Sequence, residues 1–367
     1  MRLIPIECVR EESCLGKTIN DNSGRVLLKE GTRLTESIIK KIQLLGIESI
    51  YIDDEYSNEE ISEVIRPELR EKSISAVKET FKSIDRIAKE QEKGPRSAID
   101  KRNKEYFGSI YGVAEEILNN VFANNNMLFG LVDMKGMDNF TYGHSVNVAV
   151  ISLIMGISLK MHKDDLTELC LGALSHDIGK IFIPKEITSK TSNLTEDESN
   201  LFKEHTEKGY EYLKENFKFK TRSMLVALQH HEQVDGRGYP YGITGESIHI
   251  YSKIVSIANC FDLLTSKIGN RKALSVADAL EYIMAQAGRI FDFELVELFS
   301  RIIVIYPVGT VVELSNGDTA MVQGTPANYP LRPTVRILRS GDRSRNGMII
   351  NLLNELSLVI KEVKYIV

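Results

Sequence analysis

The 367-residue sequence predicts a mainly α protein, with a long helical centre between a small α+β module at the N-terminus and a small β-rich module at the C-terminus. Three observations carry this. Apolar residues recur at three- and four-residue steps through most of residues 56–302. From 303 the pattern changes to alternation of apolar and polar residues, the period of a strand. Over the first 55 residues, short apolar runs are broken by turn signals.

In residues 1–55 the breaks are DNSGR (21–25) and KEGTR (29–33). TESIIKKIQLLGI (35–47) then spaces its apolar residues helically, and GIESIYID closes on a strand-like run. Residues 56–95 are rich in Glu, Lys, Ser and Arg with Ile and Val at helical steps, the pattern of an exposed amphipathic helix ended by EKGPR (92–96). A second helical run covers 98–124. Long helices of this kind often pair with a twin, so 56–124 is a helical linker and a candidate homodimer contact.

Residues 125–302 form the central domain. VNVAVISLIMGISL (146–159) is shorter than the ~18 apolar residues that span a bilayer and is expected to be a buried helix. In LTEDES, Thr195 with Glu198 three residues on forms a capping box that opens a helix through about 215. Glycine and proline concentrate at 236–245. In 303–367, GTVVELSNGDTAMVQG alternates around an Asn-Gly turn at 316–317, and PTVRIL and LSLVIKEV continue a small β-barrel-like unit.

Composition narrows the function classes. Hydrophobic residues at 43% and charged residues at 26% suit a globular domain. A net charge of −5 offers no basic footprint for nucleic acid, so a phosphate-bearing ligand would need local cations or metal. Cys8, Cys14, Cys170 and Cys260 form no C-x-x-C pair and read as reduced thiols. The N-terminus lacks the basic-then-apolar build of a signal peptide. A cytoplasmic protein with no membrane insertion is the expectation. The N-terminal module has neither a receiver-like acidic cluster nor a glycine-rich phosphate loop.

The seven histidines are the informative residues. His176 is followed at once by Asp177, and His230-His231 by Glu232. A histidine pair in a core is costly unless something organises it, and metal is the usual organiser. Imidazole with carboxylate and no thiolate suits a catalytic ion. Asp177 has two oxygens and could bridge two ions that share a hydroxide and clamp a phosphoryl group. His144 lies early in the apolar helix and His205 ten residues into the capped helix. His162 and His249 have no acidic or histidine partner in register and are read as ordinary helix residues.

HSVNVA, LSHDIGK, EHTEKGY and HHEQVDGRGYP, in that order, resemble the HD-GYP family of the HD phosphohydrolase superfamily. The resemblance covers roughly 100–305. GRVLLKEGTRLTE before it and YPVGTVVELSNGDTAMV after it resemble modules that flank such domains in bacterial signalling proteins. It implies an all-helical, metal-dependent phosphodiesterase that hydrolyses cyclic di-GMP to pGpG or GMP by attack of metal-bound hydroxide on phosphorus. The implied cofactor is two divalent ions, iron or manganese first, with zinc, nickel or magnesium as further ions such a set accepts. Carried over by position, His144, His176 and Asp177 serve one ion, and Asp177, His205, His230 and His231 the second. Lys180 contacts the scissile phosphate, as a cation suits charge growing on non-bridging oxygens. Gly238, Tyr239 and Pro240 shape a substrate-facing loop, with Arg237 and Arg271 on the other phosphate.

Three positions depart from the family pattern. Its closing ligand is the first acid of A-D-x-x-D-A, and here that position is Asn259, with Asp262 keeping the second acid. An amide oxygen brings no charge. Where R-P-Y-R is usual the sequence reads IGNR, with Ile268 in place of the first arginine. Four residues before His144, where trinuclear members carry glutamate, stands Phe140, which limits the expectation to two metals. Asn259 and Ile268 motivate an alternative, a catalytically weakened domain that binds cyclic di-GMP or a signalling protein partner. A third reading keeps the hydrolase with another cyclic dinucleotide or nucleotide as substrate.

Overall fold

The computed structural model describes residues 2–20, 26–45, 47, 49–54, 64–90, 96–123, 129–130, 140–190, 194–217, 219–269, 271–326 and 329–364. The DNSGR turn, and all of EKGPR but Arg96, lie outside these residues. The chain divides into two compact units, Ile65–Met127 with Asn139–Phe299, and Met1–Val64 with Leu128–Asp138 and Ser300–Val367. Among the described residues no helix is long and apolar enough to cross a membrane.

In the second of these units, α1 (Glu36–Leu44) starts where the sequence places it, with the Thr35 side chain accepting from the Ile38 N–H at 3.4 Å. An antiparallel sheet orders Arg2–Pro5, Ser49–Asp53 and Cys14–Leu15. Ile4, Leu15, Leu34, Ile42, Ile50 and Ile52 close its core. The C-terminal residues form a five-stranded antiparallel sheet in the order Ile349–Asn351, Thr334–Arg339, Thr319–Gly324, Val311–Leu314 and Ile360–Val363. Asn316-Gly317 turns between two of these strands, and Gly317 takes the φ of +86° that such a turn demands.

The helical unit is built on α4 (Phe140–Ser158), which packs against α5 (Lys163–Ser175) and α10 (Ile250–Thr265). Residues 144–155 of α4 are buried all round, as a helix with apolar residues on every side must be. The helix α2 (Pro67–Glu90) corrects one expectation. It is not an exposed helix, because Val77, Phe81, Ile84 and Ile87 are buried where it packs on α3 (Arg96–Ala123) and α4. Periodicity shows that an apolar stripe exists, not what covers it.

A second correction concerns the capped helix. Thr195 and Glu198 form both bonds of the capping box, but the helix runs as α7 (Glu196–Lys203) and α8 (His205–Asn216), abutting at Glu204. His205 therefore begins a helix. The short α6 (Lys185–Thr188) precedes this pair, and α9 (Thr221–Gln229) follows it and ends at His230. Residues 231–249 are mostly irregular, pinned by a bridge between Asp235 and Thr244, so the central segment is less uniformly helical than its periodicity suggests. The helices α11 (Val276–Ala285) and α12 (Phe293–Ile302) complete the series. His249 is the N-cap of α10, its Nδ1 accepting from the Tyr251 N–H at 3.2 Å.

Candidate metal centre

Five helices deliver the site. α4 supplies His144. α5 ends at His176, and the chain tightens into a 3-10 turn, Ile178–Phe182, that carries Lys180. α8 opens on His205, α9 ends at His230-His231, and α10 carries Asn259 and Asp262. The 3-10 turn seats on α8 through two glycines. A Cβ on Gly179 would lie 1.8 Å from the His205 carbonyl oxygen and 2.7 Å from the Gly209 nitrogen, so only glycine permits this approach.

Asp177 sits at the centre, buried, and its two oxygens face different histidines. Oδ2 lies 3.3 Å from His176 Nε2 and 4.0 Å from His144 Nε2. Oδ1 lies 3.7 Å from both His205 Nε2 and His230 Nε2. The donor atoms of His144, His176 and Asp177 lie within 4.8 Å of one another, and so do those of Asp177, His205, His230 and His231. The two groups share only the carboxylate.

The far side of each ring explains its aim. His176 Nδ1 bonds to the Ala173 carbonyl at 2.8 Å, His205 Nδ1 to Phe202 at 2.6 Å, and His230 Nδ1 to Val226 and Ala227 at 3.0 and 3.1 Å. His144 Nδ1 meets the Asp262 carboxylate at 2.7 Å. All these partners are pure acceptors, so each Nδ1 carries the proton and each Nε2 presents a lone pair. The Nε2 atoms of His176, His205 and His230, and Asp177 Oδ1, are buried without a hydrogen-bond partner. Lone pairs that converge on one another in a core are unfavourable unless a cation lies between them. The donor set therefore fits divalent metal.

The electrostatics agree. Burial alone would raise the Asp177 carboxyl, but Lys180, with Nζ at 2.6 Å, and the surrounding histidines outweigh it and hold the group well below the usual carboxylate range. Burial pushes His205 down to about 4, with Asp177 and the Phe202 carbonyl opposing and Lys180 and His176 adding. Burial first, then neighbouring histidines, pushes His230 and His231 well down too. These three rings are therefore held neutral at pH 7, the form in which an imidazole can bind metal. Below pH 6.5 the unfolded chain takes up a proton that folded His205 refuses until about pH 4. Ion-free protein is thus expected to lose stability as pH falls through that window, by roughly 3 kcal/mol for His205 alone. Denaturant midpoints in chelator between pH 8 and pH 4.5 check this, and a flat profile would count against it.

The loop after the histidine pair is tightly folded. A Cβ on Gly238 would meet the backbone of Glu232 and Gln233 at 2.4 and 2.3 Å. Tyr239 stacks on His231, centroids 4.6 Å apart and planes 20° apart, and joins Pro240 through a cis peptide. The Glu232 carboxylate accepts the N–H groups of Tyr241 at 2.8 Å and Ile243 at 3.2 Å, a structural use of this acid that its place beside the histidines did not reveal.

The structure thus brings His144, His176, Asp177, His205, His230, His231, Lys180 and Tyr239 together. Asn259 is buried on α10, one turn before Asp262. Arg237 and Arg271 are exposed, the first 3.8 Å from Asp235 and the second donating to the Leu263 carbonyl. Asp262 has a use that the sequence reading leaves out, as the acceptor that orients His144 from 118 residues away. No local signal reports a pairing at that separation.

A family model described as "HD domain" matches residues 133–295, and one described as "KOW domain associated with HD domain" matches 311–364. The cyclic di-GMP phosphodiesterase PA4108 of Pseudomonas aeruginosa is 31% identical over 228 residues, 62% of this chain and 55% of that protein. The cyclic di-GMP phosphodiesterase response regulator RpfG of Xanthomonas campestris pv. campestris is 40% identical over 144 residues, 39% of this chain and 38% of that protein. The chain thus aligns with about half or less of the length of these curated relatives. The solved structure of Bd1817, an HDG"Y"P protein from Bdellovibrio bacteriovorus, matches with a TM-score of 0.52 at 16% identity, covering 81% of this chain and 97% of that one, and shares its fold. Residues 133–295 therefore match the HD domain, and the fold agrees with that match.

Proposed function

We propose that this HD domain is a phosphodiesterase that uses two divalent ions to hydrolyse cyclic di-GMP to pGpG or GMP. The observation that carries the reading is the Asp177 carboxylate, whose two oxygens face two separate histidine groups. His144 and His176 would hold one ion, and His205, His230 and His231 the other, with Asn259 as a neutral ligand. When bound, a two-ion pair of iron or manganese acidifies water and draws charge off phosphoryl oxygens.

The chain's own residues supply the rest. The Lys180 ammonium is partly exposed and anchored to Asp177, so it can meet the charge that grows on a non-bridging phosphoryl oxygen. Tyr239 lies flat on His231 and offers a ring on which a purine can stack. Arg237 and Arg271 are exposed, and to meet a second phosphate they would exchange their contacts with Asp235 and the Leu263 carbonyl.

The names of the relatives support the substrate class and leave its base open. A Vibrio cholerae relative, 33% identical over 150 residues, is named 3'3'-cGAMP-specific phosphodiesterase 3. A second reading, binding without cleavage, is favoured by the uncharged Asn259. The purified chain with Mn²⁺ or Fe²⁺ is expected to take up two equivalents and to cleave cyclic di-GMP faster than 3'3'-cGAMP. Asn259→Asp is expected to tighten one equivalent about 10–100-fold, or roughly 1.4–2.7 kcal/mol. Ligand binding without product in either metal, in wild type and Asn259→Asp alike, would sink the hydrolase reading and leave the receptor.

A further inference from the structure

A buried chain of hydrogen bonds leaves the metal centre through α10 and ends on a helix outside the segment that the HD model matches. His144 Nδ1 donates to Asp262 Oδ2 at 2.7 Å. The other oxygen of that carboxylate, Oδ1, accepts from Asn147 Nδ2 at 2.8 Å. The Asn147 Oδ1 in turn accepts from Arg70 Nη2 at 3.2 Å. His144, Asn147 and Asp262 are buried, and Arg70 is half-buried in the first turn of α2.

The chemistry of the four groups gives this chain one direction. A guanidinium only donates and a carboxylate only accepts. An amide does both, and Asn147 sits between a group that must donate and a group that must accept. Its orientation is therefore fixed, with oxygen toward Arg70 and nitrogen toward Asp262. Were the amide turned over, both contacts would be repulsive. Asp262, held by Asn147 at one oxygen, keeps the other for the His144 Nδ1 proton. That proton in turn places the His144 lone pair on Nε2, toward Asp177. Burial works against the Arg70 charge and outweighs the opposing pull of the Glu71 and Asp262 carboxylates, which offset it only in part.

We infer that Arg70 is a positioning residue of the metal centre, setting the tautomer and aim of His144 through Asn147 and Asp262. The inference rests on the metal reading proposed above. It makes α2 part of the centre, although the HD match begins only at residue 133. The helix that reads from its sequence as a solvent-facing linker would then tune the affinity of one ion. The other ion's ligands, aimed by carbonyls near them, would not feel it.

The test is a metal titration of the full chain with Mn²⁺ against a competing chelator. It uses Arg70→Ala, the near-isosteric Asn147→Leu, and Lys72→Ala as control. Lys72 is also on α2 but pairs with Glu116 of α3 at 2.7 Å, outside the chain of bonds. Arg70→Ala and Asn147→Leu are expected to weaken one equivalent about tenfold and leave the other unchanged. Arg70→Lys, which keeps a charge and a donor, is expected to recover part of that loss. Lys72→Ala is expected to bind as wild type.

A second readout needs no ion. In ¹⁵N-histidine-labelled apo protein, the His144 Nδ1 proton is expected as a protected downfield resonance that Arg70→Ala loses to exchange. Arg70→Ala binding both equivalents as wild type would overturn the inference. So would equal weakening of both equivalents, or equal weakening in Lys72→Ala, since either means that α2 has simply loosened. If circular dichroism shows Arg70→Ala unfolded, Asn147→Leu decides alone. If wild type takes up no metal, the hydrolase reading fails, and the His144 resonance still decides whether Arg70 sets that ring.

Discussion

Asp177→Asn is expected to abolish turnover and to remove both metal equivalents from the purified protein. The change keeps shape and burial and removes one charge. Among the described residues, that charge is the only carboxylate in the two groups of candidate ligand atoms. Each group of histidines without it offers neutral nitrogen alone, and the Lys180 ammonium, now unpaired at 2.6 Å, would repel any cation brought nearby. Loss of a single supporting contact costs about 10–100-fold in affinity, and loss of the shared charged ligand exceeds that at both positions. Turnover is expected to fall by at least about 10³-fold, the worth of roughly 4 kcal/mol of transition-state stabilisation. Elemental analysis beside product chromatography gives the answer. Two equivalents retained in Asp177→Asn would refute the bridging role.

Gly179→Ala is expected to have the largest effect of any single methyl group in the domain. The new Cβ would be placed 1.8 Å from a backbone oxygen, and backbone cannot rotate away as a side-chain tip can. The 3-10 turn and α8 must separate. Overpacking of this kind costs about 1–3 kcal/mol, and more where backbone must move. At roughly 2–4 °C per kcal/mol, melting is expected to fall by about 5–10 °C. The same movement carries His205 away from Asp177, so the ion that His205, His230 and His231 are proposed to hold should bind about 10²-fold or more weakly. Gly112→Ala in α3, where an added Cβ meets nothing within 4 Å, is the matched control and should be neutral or stabilising. Equal melting of the two variants would show that the close approach at Gly179 is not a constraint.

Much of this was legible in the sequence. The order of histidines, the capping box at Thr195, the N-cap at Thr35 and the turn at Asn316-Gly317 are local signals, and each sits where its chemistry demands. What escaped reading depends on contacts between distant segments. The stripe of α2 gave no hint that α3 and α4 cover it. The break at Glu204 came as a surprise to a continuous helical pattern. The strand Ile349–Asn351 is three residues long, too short to show alternation. Asp262 stands out in the sequence as the second acid of the family pattern, but its partner, His144, appears only in the fold. The role of Gly179 depends on a second glycine thirty residues on, and no period connects them.

Three of the imidazoles around Asp177 are aimed by carbonyls three or four residues before them, at Ala173, Phe202, Val226 and Ala227. Such bonds close as soon as the adjoining turn of backbone forms, early in folding, when long loops are still open. His144 is different, because its partner is 118 residues away and arrives only with the packing of α4 on α10. The centre would therefore assemble in two stages. A nascent chain would hold three rings already aimed before α5, α8 and α9 bring them together, and metal supplied during refolding should speed that later packing step rather than the first.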